Sequence, residues 1–263
     1  MTVVRRKRLV VTWHEVWGRD YWVDYLGPLG RVAAALERLA ASLPDHVVAA
    51  STGTADRLVD LGVPRERLTA VPNGVDAAEI EAAVPAADAA DVLCVGRLLA
   101  NKNVDVLVDA VALLRERGRR VTATVIGTGP ERERLAAQVE RLGLGDQVRL
   151  LEPLEQRLDV LGAMKSARVL AFPTVREGFG MVALEALACG TPVVTTDHPD
   201  NHARHLIVPG VNGYVCGLGA TALADALTQA LDNADGLREG ALATGRDNSW
   251  DALAATLAKV LVA

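Results

Sequence analysis

The chain has 263 residues, half of them hydrophobic and 23% charged, with a net charge of −5 and an isoelectric point near 5.6. This composition is typical of a globular protein with a buried core, and the negative charge argues against nucleic acid as the main ligand. The sequence has no apolar run of the roughly 18–20 residues that a membrane-spanning helix needs. The three cysteines, Cys94, Cys189 and Cys216, are scattered without metal-ligand spacing, which predicts reduced core thiols in a cytoplasmic protein.

The first part of the chain begins with a basic run. Arg5, Arg6, Lys7 and Arg8 precede the first predicted strand. Two interpretations stay open, a solvated charge run or a contact with anionic lipid at the inner face of the membrane. The pattern then predicts three strands, at 8–14, 46–51 and 68–73, and two helices, at 27–43 and 52–62.

From residue 91 onwards, short β-rich runs alternate regularly with segments of helical spacing. The sequence predicts strands in DVLCVG, VTATVIG, VRLLE, VLAFPT, PVVTTD and GYVC, and helices over 103–118, 130–143 and 155–167. Buried strands separated by helices indicate a parallel sheet, so we predict an α/β fold with a doubly wound domain. Its ligand should lie beyond the carboxyl ends of the strands.

The predicted domain organisation has four parts. An Ala-, Pro- and Asp-rich stretch without strand character suggests a linker between a partial α/β domain and the doubly wound one. The sequence ends in a further predicted helix. The predicted bounds are 1–76 for the partial Rossmann-like domain, 77–90 for the linker, 91–248 for the doubly wound domain and 249–263 for the helix.

Two glycine turns are candidates for contact with phosphate. The loop VGRLLANKN contains Gly96 at a strand end, followed by Arg97 and Lys102. Glycine allows close backbone approach and the cations suit a diphosphate, although a solvated loop is the alternative. The second turn, VIGTGPERERL, lacks the third glycine of a dinucleotide fingerprint. It is either a tight turn or the wall of a nucleotide pocket.

The segment REGFGMVALEALACGTPVV carries two glutamates, Glu177 and Glu185, on either side of a glycine-rich helix start. The N–H groups of Gly180, Met181 and Val182 should be free at that start, where the helix dipole favours an anion. Glu185 lies in an otherwise apolar helix and needs polar partners, and two ribose hydroxyls would satisfy it. The alternative is a capping glutamate at 177 and a core-edge glutamate at 185, paired with a lysine or arginine.

These motifs resemble a known family. EGFGMVALEALACGTPVV is similar to the E-x7-E segment of retaining GT-B-fold glycosyltransferases of family 4. VPNGVD resembles the interdomain signature of that family, and VGRLLANKN its diphosphate-binding loop. The order and spacing agree over essentially the whole chain, although relatives usually have a longer N-terminal domain. The resemblance also implies that the C-terminal helix packs back on the N-terminal portion. The chain is therefore expected to be a fragment, to have a mis-assigned start, or to need a partner chain that completes this domain.

The resemblance implies roles for individual residues. Arg97 and Lys102 would bind the donor diphosphate, Glu177 would contact the sugar and Glu185 the ribose, and His14 would face the donor sugar. The implied catalytic residues are Glu177, His14, Arg97 and Lys102. The implied substrate-binding residues are Gly96, Arg97, Lys102, Glu177, Gly178, Phe179, Gly180, Met181, Val182 and Glu185.

The implied reaction is transfer of a hexose from a UDP- or GDP-sugar to a glycan, lipid or small-molecule hydroxyl, with retention of configuration. The resemblance also implies that no metal or other cofactor is needed. One alternative is a non-catalytic nucleotide-sugar-binding subunit that needs a partner. An epimerase or a phosphorylase of the same fold is another, although the phosphorylase would need a pyridoxal-binding lysine context that the sequence lacks.

Overall fold

The computed structural model describes the backbone of residues 7–262 and the side chains of residues 7–260. The chain divides into two compact units. The first comprises the described residues up to Asn73 together with the C-terminal segment from Leu253, and the second comprises Gly74–Ala252.

The first unit is built on a three-stranded parallel sheet in the order β1-β2-β3. Val10 pairs with His46, and Val47 pairs with Leu68. The strands are β1 (Val10–Trp13), β2 (His46–Ala49) and β3 (Leu68–Ala70), and the helices are α1 (Gly18–Leu26), α2 (Gly30–Ser42) and α3 (Thr52–Asp60). The three strands lie within the predicted segments, and α2 and α3 fall within the two predicted helices.

Helix α1 was not predicted. A side chain of α2 caps the N-terminus of α1. The Glu37 carboxylate accepts hydrogen bonds from the backbone N–H groups of Trp17 and Gly18 at 2.8 and 2.9 Å. The same carboxylate accepts a bond from the Trp22 indole at 3.1 Å. A cap supplied by a residue so distant in sequence leaves no local start signal.

One face of α2 and its flanks is apolar and exposed. The side chains concerned recur at helical spacing, and each residue is between 56% and 70% exposed. They are Leu29, Val32, Leu36, Leu39 and Leu43. A contiguous stripe of this kind is uncommon on the surface of a monomer.

The second unit contains six parallel strands in the order β6-β5-β4-β7-β8-β9. The strands are β4 (Val92–Val95), β5 (Ala123–Ile126), β6 (Val148–Leu151), β7 (Val169–Phe172), β8 (Val193–Thr196) and β9 (Gly213–Cys216). The helices are α4 (Ala77–Ala82), α5 (Val104–Glu116), α6 (Arg132–Arg141), α7 (Arg157–Ser166), α8 (Met181–Ala188), α9 (Ala220–Asp232) and α10 (Ala234–Asp247). The doubly wound parallel sheet predicted from the alternating pattern is confirmed.

Side chains alternate between the two faces of this sheet, and each face buries a separate layer of helices. Val92 and Val125 pack with α5, α6 and α9 on one face, whereas Leu93 and Leu170 pack with α7 and α8 on the other. Because both faces of the sheet are covered at its centre, β4 and β7 are apolar throughout rather than alternating, whereas the edge strand β6 carries the exposed Arg149. After β8 the connection holds a short 3-10 helix, His202–Leu206, instead of an α-helix.

The stretch 77–90 differs from the linker that its composition suggests. It contains α4 and belongs to the second unit, where side chains of α7 bind its backbone. The Lys165 ammonium donates to the Ala83 carbonyl at 2.7 Å, and the Ser166 hydroxyl donates to the Ala86 carbonyl at 2.8 Å. The lack of strand character was correct, but these long-range backbone contacts have no signature in the composition.

The C-terminal helix α11 (Trp250–Val262) contributes to the core of the first unit through Val260, which packs with Val48 and Val71. The guanidinium of Arg8 donates to the Val260 carbonyl at 3.1 Å. Arg5 and Arg6 lie outside the described residues, so the lipid contact stays a prediction. Within residues 7–262, no helix combines the length and apolar character needed to cross a bilayer.

The predicted core thiols are confirmed, because all three cysteines are buried and free. Burial raises the pKa of Cys94 and Cys189 to about 12 and that of Cys216 to about 11. Thiols with such values stay protonated at neutral pH and act as small apolar core residues.

The two glycine turns of the sequence analysis pack against each other. The backbone N–H of Leu98 donates to the Thr128 carbonyl at 2.9 Å. A Cβ added to Gly127 would lie 1.9 Å from the Gly96 carbonyl oxygen, so the turn after β5 has no space for a side chain. The structure shows the tight turn, and a role of this turn as the wall of a nucleotide pocket stays a prediction.

We therefore predict that Gly127→Ala lowers the free energy of unfolding by about 1–3 kcal/mol, the usual cost of overpacking. Gly145→Ala is the matched control, because a Cβ there meets nothing within 4 Å, and it should stay within about 0.5 kcal/mol of the parent. Urea denaturation measures both variants. Equal stability of the two would contradict the contact.

Candidate active site

The candidate site lies at the carboxyl ends of β4 and β7, where the strand order reverses. The loops that follow these two strands are joined through Asn101 and Asn103. The Asn101 carbonyl accepts bonds from the Val175 N–H at 2.9 Å and from the Thr174 hydroxyl at 3.1 Å, and the Asn103 amide donates to the Pro173 carbonyl at 3.1 Å. Ligands of doubly wound sheets bind at such switch points.

The loop after β4 brings Gly96, Arg97 and Lys102 to one hollow beside Phe172. Gly96 has a φ of +146°, and a Cβ there would meet nothing within 4 Å, so its backbone borders open space. Arg97 is exposed. The loop therefore offers an open backbone and two cations on the same side of the sheet.

Lys102 and Glu177 form an ion pair across the two loops, with 2.7 Å between Nζ and Oε2. Their side chains are 22% and 23% exposed, and the Lys102 ammonium also lies 5.4 Å from the Phe172 ring centroid. The backbone of Glu177 is fixed to the loop after β8, since its N–H donates to Asp200 and its carbonyl accepts from the His202 N–H. Glu177 thus faces the cationic loop, and the alternative of a helix-capping glutamate is wrong.

Helix α8 begins at this point, directly after Gly180. Gly180 is the cap residue, with a φ of +98° and no side-chain cap bond, and a Cβ there would lie 2.4 Å from Cβ of Ala203. Phe179 is buried with Leu184 and anchors the turn, and Gly178 is buried beside it. The first N–H groups of a helix have no intrahelical acceptor, so this end is suited to an anion.

Glu185 is 8% exposed within the apolar helix α8. The guanidinium of Arg157 donates from Nη2 to Oε1 of Glu185 at 2.9 Å and from Nε to Oε2 of Glu79 at 2.7 Å. Among the described residues, no donor bonds to the second oxygen of Glu185. The arginine partner that the sequence left as an alternative is therefore present for one carboxylate oxygen, and the ribose role stays a prediction.

Arg157 is the site residue that the sequence did not single out. The pKa of Arg157 is raised above the usual arginine value, mainly by the hydrogen bond to Glu79. Partial burial acts to lower this pKa, and the negative charge of Glu185 acts to raise it further. Nothing in the local string EQRLDV distinguishes this arginine from a surface residue. Its partners lie on two other helices, α4 and α8.

His14 lies in the first unit, immediately after β1. Its side chain is exposed, and its backbone carbonyl accepts a bond from the Thr54 hydroxyl at 3.4 Å. The role that the resemblance implies for His14 stays a prediction.

Asp88 and Asp91 lie just before β4, the first strand of the second unit, and both have structural partners. Asp88 pairs with Arg149. Asp91 accepts two bonds from Thr122, both at 2.9 Å, and one from Arg168 at 3.3 Å. Burial acts to raise the pKa of Asp91, but these bonds outweigh it and hold the pKa below the usual aspartate value.

Two family models match this chain. The model for "Glycosyl transferases group 1" matches residues 75–248, which include the whole candidate site, and the model for "Glycosyltransferase Family 4" matches residues 2–79. The chain belongs to the group 1 glycosyltransferases. The family that the motifs suggested is thereby confirmed.

Curated relatives of this group 1 chain include two bacterial enzymes. A D-inositol 3-phosphate glycosyltransferase from Xylanimonas cellulosilytica is 34% identical over 90% of this chain and 61% of its own length. A glycogen synthase from Mycobacterium tuberculosis is 29% identical over 92% of this chain and 59% of its own length. The chain spans about 60% of the length of these relatives.

Solved structures show the same fold. Anabaena Alr3699/HepE in complex with UDP and glucose has a TM-score of 0.78 at 22% identity, covering 98% of this chain and 72% of that one. A sucrose-phosphate synthase from Thermosynechococcus elongatus has a TM-score of 0.77 at 21% identity, covering 96% of this chain and 66% of that one. These likenesses confirm the predicted GT-B type.

The partners of Asp91 lead to a pH-dependent prediction. Because folding lowers the pKa of Asp91, its stabilisation is complete above the ordinary aspartate pKa and is lost as the pH falls through the lowered value. At pH 7, Asp91→Asn should lower the free energy of unfolding by about 1–2 kcal/mol, and the difference should shrink at pH 3. Denaturant titrations at both values measure it.

Asp88→Asn is the control for this experiment, since the side chain of Asp88 is 78% exposed. It should change stability by less than about 0.5 kcal/mol. A cost for Asp91→Asn that did not change between pH 7 and pH 3 would refute the role of its charge.

Proposed function

We propose that this chain is a glycosyltransferase that moves a hexose from a nucleotide-sugar to a hydroxyl acceptor with retention of configuration. The observation that supports it most is the Lys102–Glu177 pair beside the N-terminus of α8, at the switch point of the sheet. A cation, a carboxylate and free helix N–H groups are what a sugar diphosphate requires at its reacting end.

In the proposed reaction, the bond between the anomeric carbon of the sugar and the diphosphate oxygen breaks. A new bond forms from that carbon to the acceptor oxygen, and the acceptor proton leaves with the nucleoside diphosphate. Negative charge accumulates on the leaving diphosphate, so Lys102 and Arg97 would stabilise it most at that stage. The open backbone at Gly96 allows the phosphates to approach.

Glu177 would have a double function in this proposal. In the absence of the donor it neutralises Lys102, and in its presence it would contact the sugar while Lys102 turns to the diphosphate. The backbone bonds of Glu177 to Asp200 and His202 support a fixed position of its main chain during this exchange. The N–H groups of Gly180, Met181 and Val182 would hold the sugar and phosphates.

Glu185 would bind the ribose hydroxyls through the oxygen that Arg157 does not occupy. We propose UDP as the first nucleotide to test, because the HepE structure that this chain resembles contains UDP and glucose. Positive side chains and a helix N-terminus supply charge stabilisation that a divalent ion gives elsewhere, so we propose a metal-independent reaction. The contribution of His14 and the cytoplasmic location are part of the same proposal.

A second candidate is a nucleotide-sugar-binding subunit that acts only with a partner chain completing the first unit. The exposed apolar stripe on α2 favours it, since such a surface is usually covered by another polypeptide. Release of UDP from UDP-glucose by the purified chain, with or without an acceptor, would decide for the independent enzyme. Binding without turnover would decide for the subunit.

We predict that Lys102→Ala reduces the rate of UDP release by about 100-fold or more, the scale of a lost electrostatic contact to a leaving group. Its melting temperature should change little, because the ammonium is held by a partly exposed pair. Arg120→Ala is the control, an exposed cation paired with Asp146, and it should retain the parent rate. Normal turnover by Lys102→Ala would refute the leaving-group role.

We also predict that Glu185→Gln weakens UDP binding by about 1–3 kcal/mol, the scale of a hydrogen bond to a charged group. Isothermal titration calorimetry measures the affinity. Glu239→Gln serves as the control, because Glu239 is an exposed acid paired with Arg246. An unchanged affinity for UDP would argue against a ribose contact.

A further inference from the structure

Arg157 connects two acids that come from different helices. It is the first residue of α7, and its guanidinium bonds Glu79 of α4 through Nε at 2.7 Å and Glu185 of α8 through Nη2 at 2.9 Å. All three residues belong to the second unit. The arrangement is unequal, since the side chain of Glu185 is 10% exposed while those of Glu79 and Arg157 are 42% and 50% exposed.

The buried acid is the member that depends on this contact. The neighbours of Glu185 along α8 are the apolar residues Leu184 and Ala186, both fully buried. An ionised carboxylate in such surroundings is costly unless it is paired and hydrogen-bonded. Arg157 supplies a positive charge and a directed N–H to one oxygen, and Glu79 binds the same guanidinium at Nε.

The geometry of the guanidinium also selects which oxygen stays available. Its donors lie in a rigid plane, so bonds from Nε to Glu79 and from Nη2 to Glu185 fix the direction in which Oε1 is held. The second oxygen of Glu185 is then the one that a ligand can reach. A lysine cannot reproduce this arrangement, because its single ammonium has no fork to bridge two carboxylates in fixed directions.

We infer that Arg157 is a positioning residue that prepares Glu185 for vicinal hydroxyls of a ribose, with Glu79 fixing Arg157. This inference rests on the proposed function, because it assumes that a nucleotide binds at this site. It adds that the preference for ribose over deoxyribose depends on a side chain that does not itself contact the sugar hydroxyls.

The test compares UDP with 2′-deoxy-UDP by calorimetry on the full chain. Arg157→Met should weaken UDP binding about tenfold, the equivalent of one hydrogen bond to a charged group, and should leave 2′-deoxy-UDP within about twofold of the parent. Arg157→Lys should restore only part of the loss. Glu79→Gln should shift UDP affinity in the same direction by a smaller factor, because a neutral amide still accepts from Nε.

Arg117→Met is the matched control. Arg117 lies in the same unit, is 40% exposed and pairs with Asp225 at 2.6 Å. It follows the C-terminal end of α5, the opposite end of that helix from Lys102, so its loss removes an ion pair away from the site. Both nucleotides should bind this variant as they bind the parent. Equal weakening of UDP and 2′-deoxy-UDP by Arg157→Met would overturn the inference, since that is the result of a purely structural residue.

Thermal denaturation without nucleotide gives a second measurement. Arg157→Met should lower the melting temperature by roughly 3–6 °C, because Glu185 loses its counter-charge, and the double variant Arg157→Met/Glu185→Gln should recover most of that shift. A double variant no more stable than Arg157→Met would overturn the dependence of Glu185 on Arg157. An unaltered chain that binds neither nucleotide would refute the proposed function itself, whereas normal UDP binding by Arg157→Met would refute the inference alone.

Discussion

The join between the loops after β4 and β7 is the constraint on which the candidate site depends. The Asn101 carbonyl accepts from the Val175 N–H and the Thr174 hydroxyl, and the Asn103 side-chain amide donates to the Pro173 carbonyl, so the two loops are joined. These bonds do not require charged side chains, so the loops stay together whether or not Lys102 and Glu177 are paired. An exchange of partners by this ion pair, as the proposed function requires, would therefore leave the join between the loops intact.

Glu177 and Glu185 are each paired with a cation, but the two cations differ in kind. Glu177 is partly exposed, and its partner is the ammonium of Lys102. A lysine carries its charge on a flexible four-carbon stem. Glu185 is buried and has a planar guanidinium that is itself held by a second acid. A compact ammonium suits a contact that changes on ligand binding, and a clamped guanidinium suits one that persists.

Much of this arrangement was readable from the sequence, and the parts that were not share a cause. Apolar runs that end in glycine and charged residues predicted the six strands of the second unit. The same pattern singled out the loop residues Gly96, Lys102 and Glu177. Helix α1, the packing of 77–90 and the role of Arg157 did not. Each of these depends on a partner from a separate element, such as Glu37 for α1, and pairings of that kind leave no periodic signal.

The ion-pair partners of Glu177 and Glu185 would also determine how the proposed site meets an anionic donor. Lys102 neutralises Glu177, and Arg157 is shared between two acids, Glu79 and Glu185. The exposed Arg97 is the site cation that has no ion-pair partner among the described residues. In the proposed function, a diphosphate would therefore meet Arg97 and the N-terminus of α8 before any ion pair breaks. Its charge would compete with Glu177 for Lys102 only after that first contact, and a donor without the diphosphate would lack the charge to open the pair. This order of steps would follow from the exposure of Arg97 and the partial burial of Lys102.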